Sequence, residues 1–162
     1  MILLGNNFEV IESNSFKQLP TLENISFQKK SVKSLARSSF DDISLKSLDF
    51  SDQNIDTLPS GLFGSLPNIT SISFARNQIE KIVDDTFSLS PNLVFLDLSQ
   101  NSIKNVGNNI KYMENKNFVI DLSENQIEFL TESSFKPFVE QRRKDGYINL
   151  SDNPTQVINP IH

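Results

Sequence analysis

The sequence predicts an α/β-class repeat fold, a single domain over residues 1–162 in which each stacked unit contributes one short strand. The first observation is a set of similar blocks, LDFSDQNI, ISFARNQI, LDLSQNSI, IDLSENQI and INLSDNPT. The second is their spacing, because seven anchor positions follow one another at 24, 23, 24, 24, 24 and 28 residues. The anchors are Asn6, Lys30, Gln53, Asn77, Asn101, Asn125 and Asn153. Self-similarity at this period is the signature of stacked repeats.

Apolar residues recur at fixed distances from each anchor, which is the third observation. Leu96-Asp97-Leu98 alternates apolar and polar residues as a half-buried strand does. The residues three before the anchors are all apolar: Leu3, Phe27, Phe50, Phe74, Leu98, Leu122 and Leu150. Those ten after most anchors are Phe16, Phe40, Phe63, Phe87 and Phe135. Because one unit cannot bury its apolar edge alone, these columns predict a stacked core with an aromatic spine.

The anchor asparagines predict a structural ladder. An amide carries two donor hydrogens and an acceptor oxygen, so it can satisfy backbone groups in the bend after each strand. The predicted ladder consists of Asn6, Asn77, Asn101, Asn125 and Asn153. Lys30 and Gln53 depart from this pattern. Because burying an ammonium group is costly, we expect Lys30 to turn toward solvent.

Composition excludes several classes of function. The 162 residues contain 15 Lys plus Arg and 20 Asp plus Glu, a net charge of −5 that gives no electrostatic support for binding nucleic acid. There is no Cys, and His162 is the single His, which argues against thiol nucleophiles, Cys/His zinc sites and His-based triads. We expect no cofactor. Apolar runs are too short for membrane insertion, and the sequence shows no secretory leader.

The repeat matches the pattern LxxLxLxxNxIxxLxxxxFxxLPxL, and the chain therefore resembles the leucine-rich repeat family. Blocks such as LPSGLFGSLPNI resemble its typical 24-residue class in animal extracellular proteins. The ending SSFKPFVEQRRKDGYINLSDNP is similar to arthropod proteins named after the non-catalytic subunit of oplophorus-luciferin monooxygenase. The resemblance implies a curved solenoid with parallel strands on the concave face and irregular or short helical segments on the convex side. It also implies an extracellular protein, secreted or an ectodomain, whose signal peptide lies outside this segment.

Both ends depart from the family pattern. Met1 falls inside a predicted strand, and no cysteine-rich cap follows Asn153-Pro154. We therefore expect about seven repeats, the first incomplete, with end caps missing or diverged, as in a fragment of a longer array. Uncapped strand edges favour self-association. The segment from Lys136 to Gly146 predicts a short amphipathic helix on the outer side.

The predicted concave face concentrates charge. Its outward columns hold six acids and two bases, −4 of the chain's −5. Beside the acids, a column that is polar at Asn24, Ser47 and Ser71 turns apolar in its last three rungs. This composition predicts contact with a protein partner, possibly a basic one. The candidate partner-binding residues are Asp49, Phe95, Asp97, Val119, Asp121, Glu124, Tyr147 and Asn149. The alternative is a solvated face carrying consensus residues, with Phe118 slipping inward and redirecting Val119.

Catalysis is not expected, because carboxylates on an open strand face lack the distinct, water-excluding environments of an acid/base pair. No loop has Ca²⁺-binding spacing, so no metal is expected. Three sequons make Asn24, Asn68 and Asn149 possible glycosylation sites. We therefore expect a non-catalytic binding module. Two alternatives stay open, a purely architectural segment supporting neighbouring repeats or a catalytic subunit, and an intracellular regulatory scaffold.

Overall fold

The computed structural model describes residues 2–3, 8–27, 30–63, 66–83, 86–87, 90–106, 117–129 and 146–155. Its strands are short and follow the repeat. They are β1 (Ile2–Leu3), β2 (Val10–Ile11), β3 (Asn24–Phe27), β4 (Ser34–Leu35), β5 (Ser47–Asp49), β6 (Thr57–Leu58), β7 (Ser71–Ser73), β8 (Lys81–Ile82), β9 (Phe95–Asp97), β10 (Val119–Asp121) and β11 (Ile148–Asn149). A seven-stranded parallel sheet has the order β1-β3-β5-β7-β9-β10-β11. The predicted parallel-strand solenoid is confirmed.

The seven-stranded sheet has one face on the core and one toward solvent. Ile72, Leu96 and Ile120 occupy equivalent positions in β7, β9 and β10, and each is buried. The residues on either side of them point the other way, as the two-residue strand period requires. We call this solvent-facing side the concave face.

A second line of parallel strands runs along the other edge of the core. β2 pairs with β4, and β6 pairs with β8. The inward residue of each strand is buried: Ile11, Leu35, Leu58 and Ile82. The periodic apolar residue five after each anchor predicts this burial, whereas the pairing depends on backbone geometry that the pattern does not specify.

The helical part of the convex-side prediction is not confirmed, since the described residues contain no helix. The convex segment of one repeat is a run of tight turns instead. The N–H of Lys17 donates to the carbonyl of Asn14 at 3.1 Å, and that of Leu19 to the carbonyl of Phe16 at 2.8 Å. Pro20 follows, and proline has no N–H to continue such a series. The predicted helix from Lys136 lies outside the described residues, except for Gly146.

Two rows of phenylalanine rings form the centre of the core. In the predicted spine, ring centroids of Phe16 and Phe40 are 5.5 Å apart, and those of Phe40 and Phe63 are 5.9 Å apart. A second row runs beside it, with the Phe27 and Phe50 rings stacked at 4.2 Å. Edge-to-face contacts join the rows, as between Phe40 and Phe50 at 5.8 Å. The spine is confirmed for the described residues, while Phe135 lies outside them.

Four of the five predicted ladder asparagines lie among the described residues, and each links neighbouring repeats as well as capping its own bend. Asn101 Nδ2 donates to the carbonyls of Leu98 and Ser99 in its own repeat, and to that of Phe74 in the preceding one. Its Oδ1 accepts the N–H of Ile79 at 3.0 Å. The same pattern holds at Asn77, Asn125 and Asn153.

The two departures from asparagine behave differently. Lys30 is exposed, as expected. Gln53 is only 2% exposed and performs the ladder role: its Oε1 accepts the N–H of Val32 and its Nε2 donates to the carbonyls of Phe27 and Ser51. Asn6 lies outside the described residues.

Candidate protein-binding face

A left-handed bend follows the strands of the concave face. The residue before the anchor has positive φ in five repeats: Asp52 (58°), Arg76 (55°), Gln100 (54°), Glu124 (54°) and Asp152 (57°). This conformation is uncommon for residues other than glycine. Hydrogen bonds between rungs hold it here, since the N–H of each of the first four donates to a carbonyl of the next repeat at 2.9–3.0 Å. The bend places these side chains at the carboxyl edge of the sheet.

Carboxylates of the concave face begin this bend. Asp97 Oδ1 accepts the N–H of Ser99 at 3.0 Å and its hydroxyl at 2.7 Å. Asp121 makes the same two contacts with Ser123, at 2.9 and 2.6 Å. An Asp or Asn that accepts the N–H two residues later mimics a backbone turn. These acids therefore have a structural role that their Asp-x-Ser spacing could have revealed.

Asn149 and Asp49 begin their bends in the same way. Asn149 Oδ1 accepts the N–H of Ser151 at 3.1 Å and its hydroxyl at 3.0 Å. Asp49 Oδ1 accepts the N–H of Ser51 at 2.9 Å, and its Oδ2 accepts the hydroxyl of Ser26 at 3.1 Å. The motif thus extends over both halves of the sheet.

An ion pair between Asp52 and Arg76 lies on the concave face. Arg76 Nε donates to Asp52 Oδ1 at 2.9 Å, and its Nη2 donates to Oδ2 at 2.7 Å. The hydrogen bond from Arg76 and its positive charge lower the pKa of Asp52 below its ordinary value of 3.8, against a smaller effect of desolvation. The same hydrogen bond raises the pKa of Arg76. Arg76 therefore neutralises the acid on the preceding rung.

Beyond Arg76 the acids form a continuous row. Asp97 and Asp121 are in register on β9 and β10, and Asn149 follows on β11. Asn149 Nδ2 donates to both carboxylate oxygens of Asp121 at 3.2 Å. At the bend, Gln100 Nε2 donates to Glu124 Oε1 at 2.9 Å. Of the ion pairs among the described residues, the Asp52–Arg76 pair alone lies on this face. The charge of Asp97 also helps to raise the pKa of Arg76, so Arg76 borders the acidic row on the preceding rung.

Three side chains line the other side of this row, at the amino ends of the strands. Phe95 and Val119 are in register, and Ile120 N–H donates to the carbonyl of Tyr147 on the next rung. Phe95 is 37% exposed and Tyr147 is 59% exposed, while Val119 is intermediate. The structure thus brings together the predicted residues Phe95, Asp97, Val119, Asp121, Glu124, Tyr147 and Asn149 on neighbouring rungs. Asp49 lies apart, separated from Asp97 by β7.

The inward shift of Phe118 occurs as the alternative interpretation expected. Phe118 is fully buried, and Asn117, in the slot that Leu93 fills one repeat earlier, is exposed. Val94, which corresponds to Phe118, is exposed instead. Val119 nevertheless keeps its register with Phe95. The exchange of core residues therefore takes place before the strand and leaves the concave face in place.

The three sequons occupy different surroundings. Asn24 is exposed at the first residue of β3. Asn68 is exposed in a turn before β7. Asn149 lies within β11, with both ends of its amide hydrogen-bonded.

Stacked parallel rungs joined by an inward amide ladder define the leucine-rich repeat class. Comparison with known families agrees, because a model of the BspA type leucine rich repeat region matches residues 1–119 in six copies. The chain belongs to the leucine-rich repeat family. No curated protein sequence matches it significantly.

Solved structures of leucine-rich repeat proteins share the fold. TLR13, in a complex with ssRNA13, matches with 24% identity and a TM-score of 0.65 over 92% of this chain and 24% of its own. Drosophila Toll, in its complex with Spatzle, matches with 19% identity and a TM-score of 0.71 over 89% and 19%. Human 5T4, a trophoblast glycoprotein, matches with 18% identity and a TM-score of 0.56 over 95% and 69%. The chain thus spans about a quarter of TLR13 and a fifth of Toll.

Within the described ranges, no three His, Cys, Asp or Glu side chains come together as potential metal ligands. In the same part of the chain, no helix has the length and hydropathy needed to cross a membrane.

Proposed function

We propose that the chain is a non-catalytic protein-binding module that works outside the cell and holds a basic segment of its partner on the concave face. The observation that carries the proposal is the juxtaposition of exposed Phe95 and Tyr147 with the acidic row from Asp97 to Asp152. Aromatic side chains are enriched at the centres of interfaces, and complementary charges around them steer association and fix register. Toll binds the protein Spatzle on a related fold, which supports protein binding as the kind of function.

The proposed extracellular location is supported by solved structures that share the fold. One of the matched Toll structures is a glycosylated form, and human 5T4 is described as a glycoprotein. N-linked glycans are added in secretory compartments.

Arg76 sets one boundary of the proposed contact. Its charge would repel a basic segment, whereas Asp97, Asp121 and Glu124 on the following rungs would attract one. Neighbouring rungs are roughly 4.8 Å apart, so a partner strand or loop crossing three rungs would meet a charge on each. The partner therefore lies on β9 to β11 and not on the first half of the sheet.

The architectural alternative is favoured by the turn role of Asp97 and Asp121. Those carboxylates each accept two hydrogen bonds from a serine of their own repeat, which is sufficient reason for an acid at these positions. An experiment must therefore remove the charge and keep the turn. Asn does so, because its Oδ1 accepts the same bonds, as Asn149 already does.

The test immobilises the full chain and exposes it to extracellular fluid of the host, comparing wild type with Phe95→Ala/Asp97→Asn/Asp121→Asn. The matched control, Phe129→Ala/Glu80→Gln/Glu128→Gln, removes one exposed aromatic ring and two acids away from the concave face. Circular dichroism checks that both variants fold.

We expect the captured partner to be lost from the concave variant and kept by the control. Removing an aromatic anchor costs about 2 kcal/mol, roughly thirtyfold in Kd, and each exposed charge pair adds up to about 1 kcal/mol. The remaining affinity should also depend less on salt. Equal binding by the concave variant, or no capture by wild type, would favour the architectural alternative.

A further inference from the structure

We propose that Asn68 is an N-glycan attachment site and that Asn149, although it also lies in a sequon, is not glycosylated in the folded protein. The three sequons look equivalent in sequence, whereas the structure separates these two. The inference rests on the extracellular part of the proposed function, because the modification occurs in secretory compartments.

Asn68 has the surroundings that a glycan requires. It is exposed in the turn between Pro67 and β7, while Ile69 beside it is fully buried and fixes the backbone. None of the hydrogen bonds among the described residues uses the Asn68 amide. Asn92, the corresponding residue of the next repeat, instead donates its Nδ2 to the carbonyl of Pro67 at 2.6 Å. A glycan on Asn68 would thus displace no such contact.

A groove beside Asn68 offers room for the first sugars. It has a volume of about 520 Å³ and lies between the turns that precede β3, β5 and β7. Its lining consists of Pro20, Asp41, Asp42, Ile43, Ser44, Pro67 and Asn68 itself. The proline rings suit the apolar faces of a sugar, and the polar side chains suit its hydroxyls. A glycan there leaves the concave face open.

Asn149 has the opposite surroundings. Its Nδ2 donates to both oxygens of Asp121, and its Oδ1 accepts the N–H and hydroxyl of Ser151. A sugar on Nδ2 replaces one of the two donor hydrogens and places a bulky group between β10 and β11. A chain modified there loses contacts that fix the last described rung, so it is selected against during folding.

The chemistry needs a lipid-linked oligosaccharide diphosphate as the donor. Asn68 Nδ2 attacks the anomeric carbon, the new C–N bond forms, and the C–O bond to the diphosphate breaks. The diphosphate lipid leaves with the electron pair, and the amide loses one proton. Transfer takes place on the newly made chain, and the folded structure decides which product persists.

The test expresses the full chain behind an added secretion signal in eukaryotic cells, so that a failure of the proposed location cannot hide the result. Peptide N-glycosidase in ¹⁸O-labelled water converts each glycosylated Asn into labelled Asp, which peptide mass spectrometry assigns to a position. We expect label at position 68 in most secreted molecules and none at 149. Unlabelled Asn68 or labelled Asn149 would overturn the proposal.

Two variants separate the sequon from the fold. Thr70→Ser keeps both the sequon and a hydroxyl that can donate to the Lys46 carbonyl, as Thr70 does at 3.1 Å, and should retain the glycan. Thr70→Ala removes the sequon without touching Asn68 and should remove the label at 68. Label that persists in Thr70→Ala would show attachment by another route and would refute the assignment.

Discussion

Replacing Asn101 with Ala should destabilise the fold by about 2–4 kcal/mol, mainly through one amide 22 residues away. The Ile79 N–H is buried, and Asn101 Oδ1 is its acceptor at 3.0 Å. A buried donor left without a partner costs about 1–3 kcal/mol. The carbonyls of Phe74 and Leu98 suffer less, because Asn77 and Asn125 also donate to them. The lost Nδ2 contacts therefore add about 1 kcal/mol.

The assay is urea unfolding of the full chain, combined with amide hydrogen exchange at Ile79. Asn153→Ala is the informative comparison, because Asn153 makes corresponding contacts but is partly exposed, so water can replace them. We expect it to cost about 1 kcal/mol or less. Gln126→Ala, at an exposed position beside the ladder, should be close to neutral. Equal costs at Asn101 and Asn153, or unchanged exchange at Ile79, would refute the reasoning.

Two further predictions follow from individual contacts. Ser90 is 2% exposed and its Oγ has no hydrogen-bond partner among the described residues, so Ser90→Ala should stabilise the chain by about 1 kcal/mol; a lower urea midpoint would contradict this. Arg76→Gln should return the pKa of Asp52 toward 3.8, measurable by NMR titration. Because the wild-type pKa is lowered, the pair stabilises the fold above the unfolded pKa and loses that contribution as pH falls through the folded one. The variant should therefore lose less stability between neutral pH and pH values below about 4, and more salt should reduce the difference.

The sequence predicts the stacking of the repeats well and the backbone conformation of the bends less well. Columns such as Ile72, Leu96 and Ile120 are periodic, and periodic burial is a property that side-chain type alone reveals. No sequence pattern indicates the positive φ at Glu124, since the residues that precede the anchors share no common side-chain chemistry. Gln53 departs from the asparagine pattern, yet its longer side chain makes the ladder hydrogen bonds in a repeat that is 23 residues long.

At the candidate site, too, the sequence predicts which side chains lie together better than it predicts their hydrogen bonds. Registered strands placed Phe95 and Val119 side by side, as the 24-residue spacing predicts. The hydrogen bonds from Ser99 to Asp97 depend on the bend that follows the strand. Asp97, which the sequence suggests is a free surface charge, therefore also accepts hydrogen bonds from its own repeat. Whether a sequon is accessible likewise depends on partners in other repeats, as Asp121 shows for Asn149.

The ladder has a consequence for how such a chain can grow. Asn77, Asn101 and Asn125 each reach partners 22 and 27 residues back, and others 2 and 3 residues back. If one more 24-residue repeat were inserted between Asn77 and Asn125, the side-chain amide of every ladder asparagine would still meet the same set of backbone partners. At Asn153 the longer separations become 26 and 31 while the short ones stay the same, so four inserted residues were absorbed outside the hydrogen-bonded frame. Adding a whole repeat would therefore preserve every ladder contact, and the longer spacing before Asn153 shows that extra residues between Ile127 and Leu150 preserve them too.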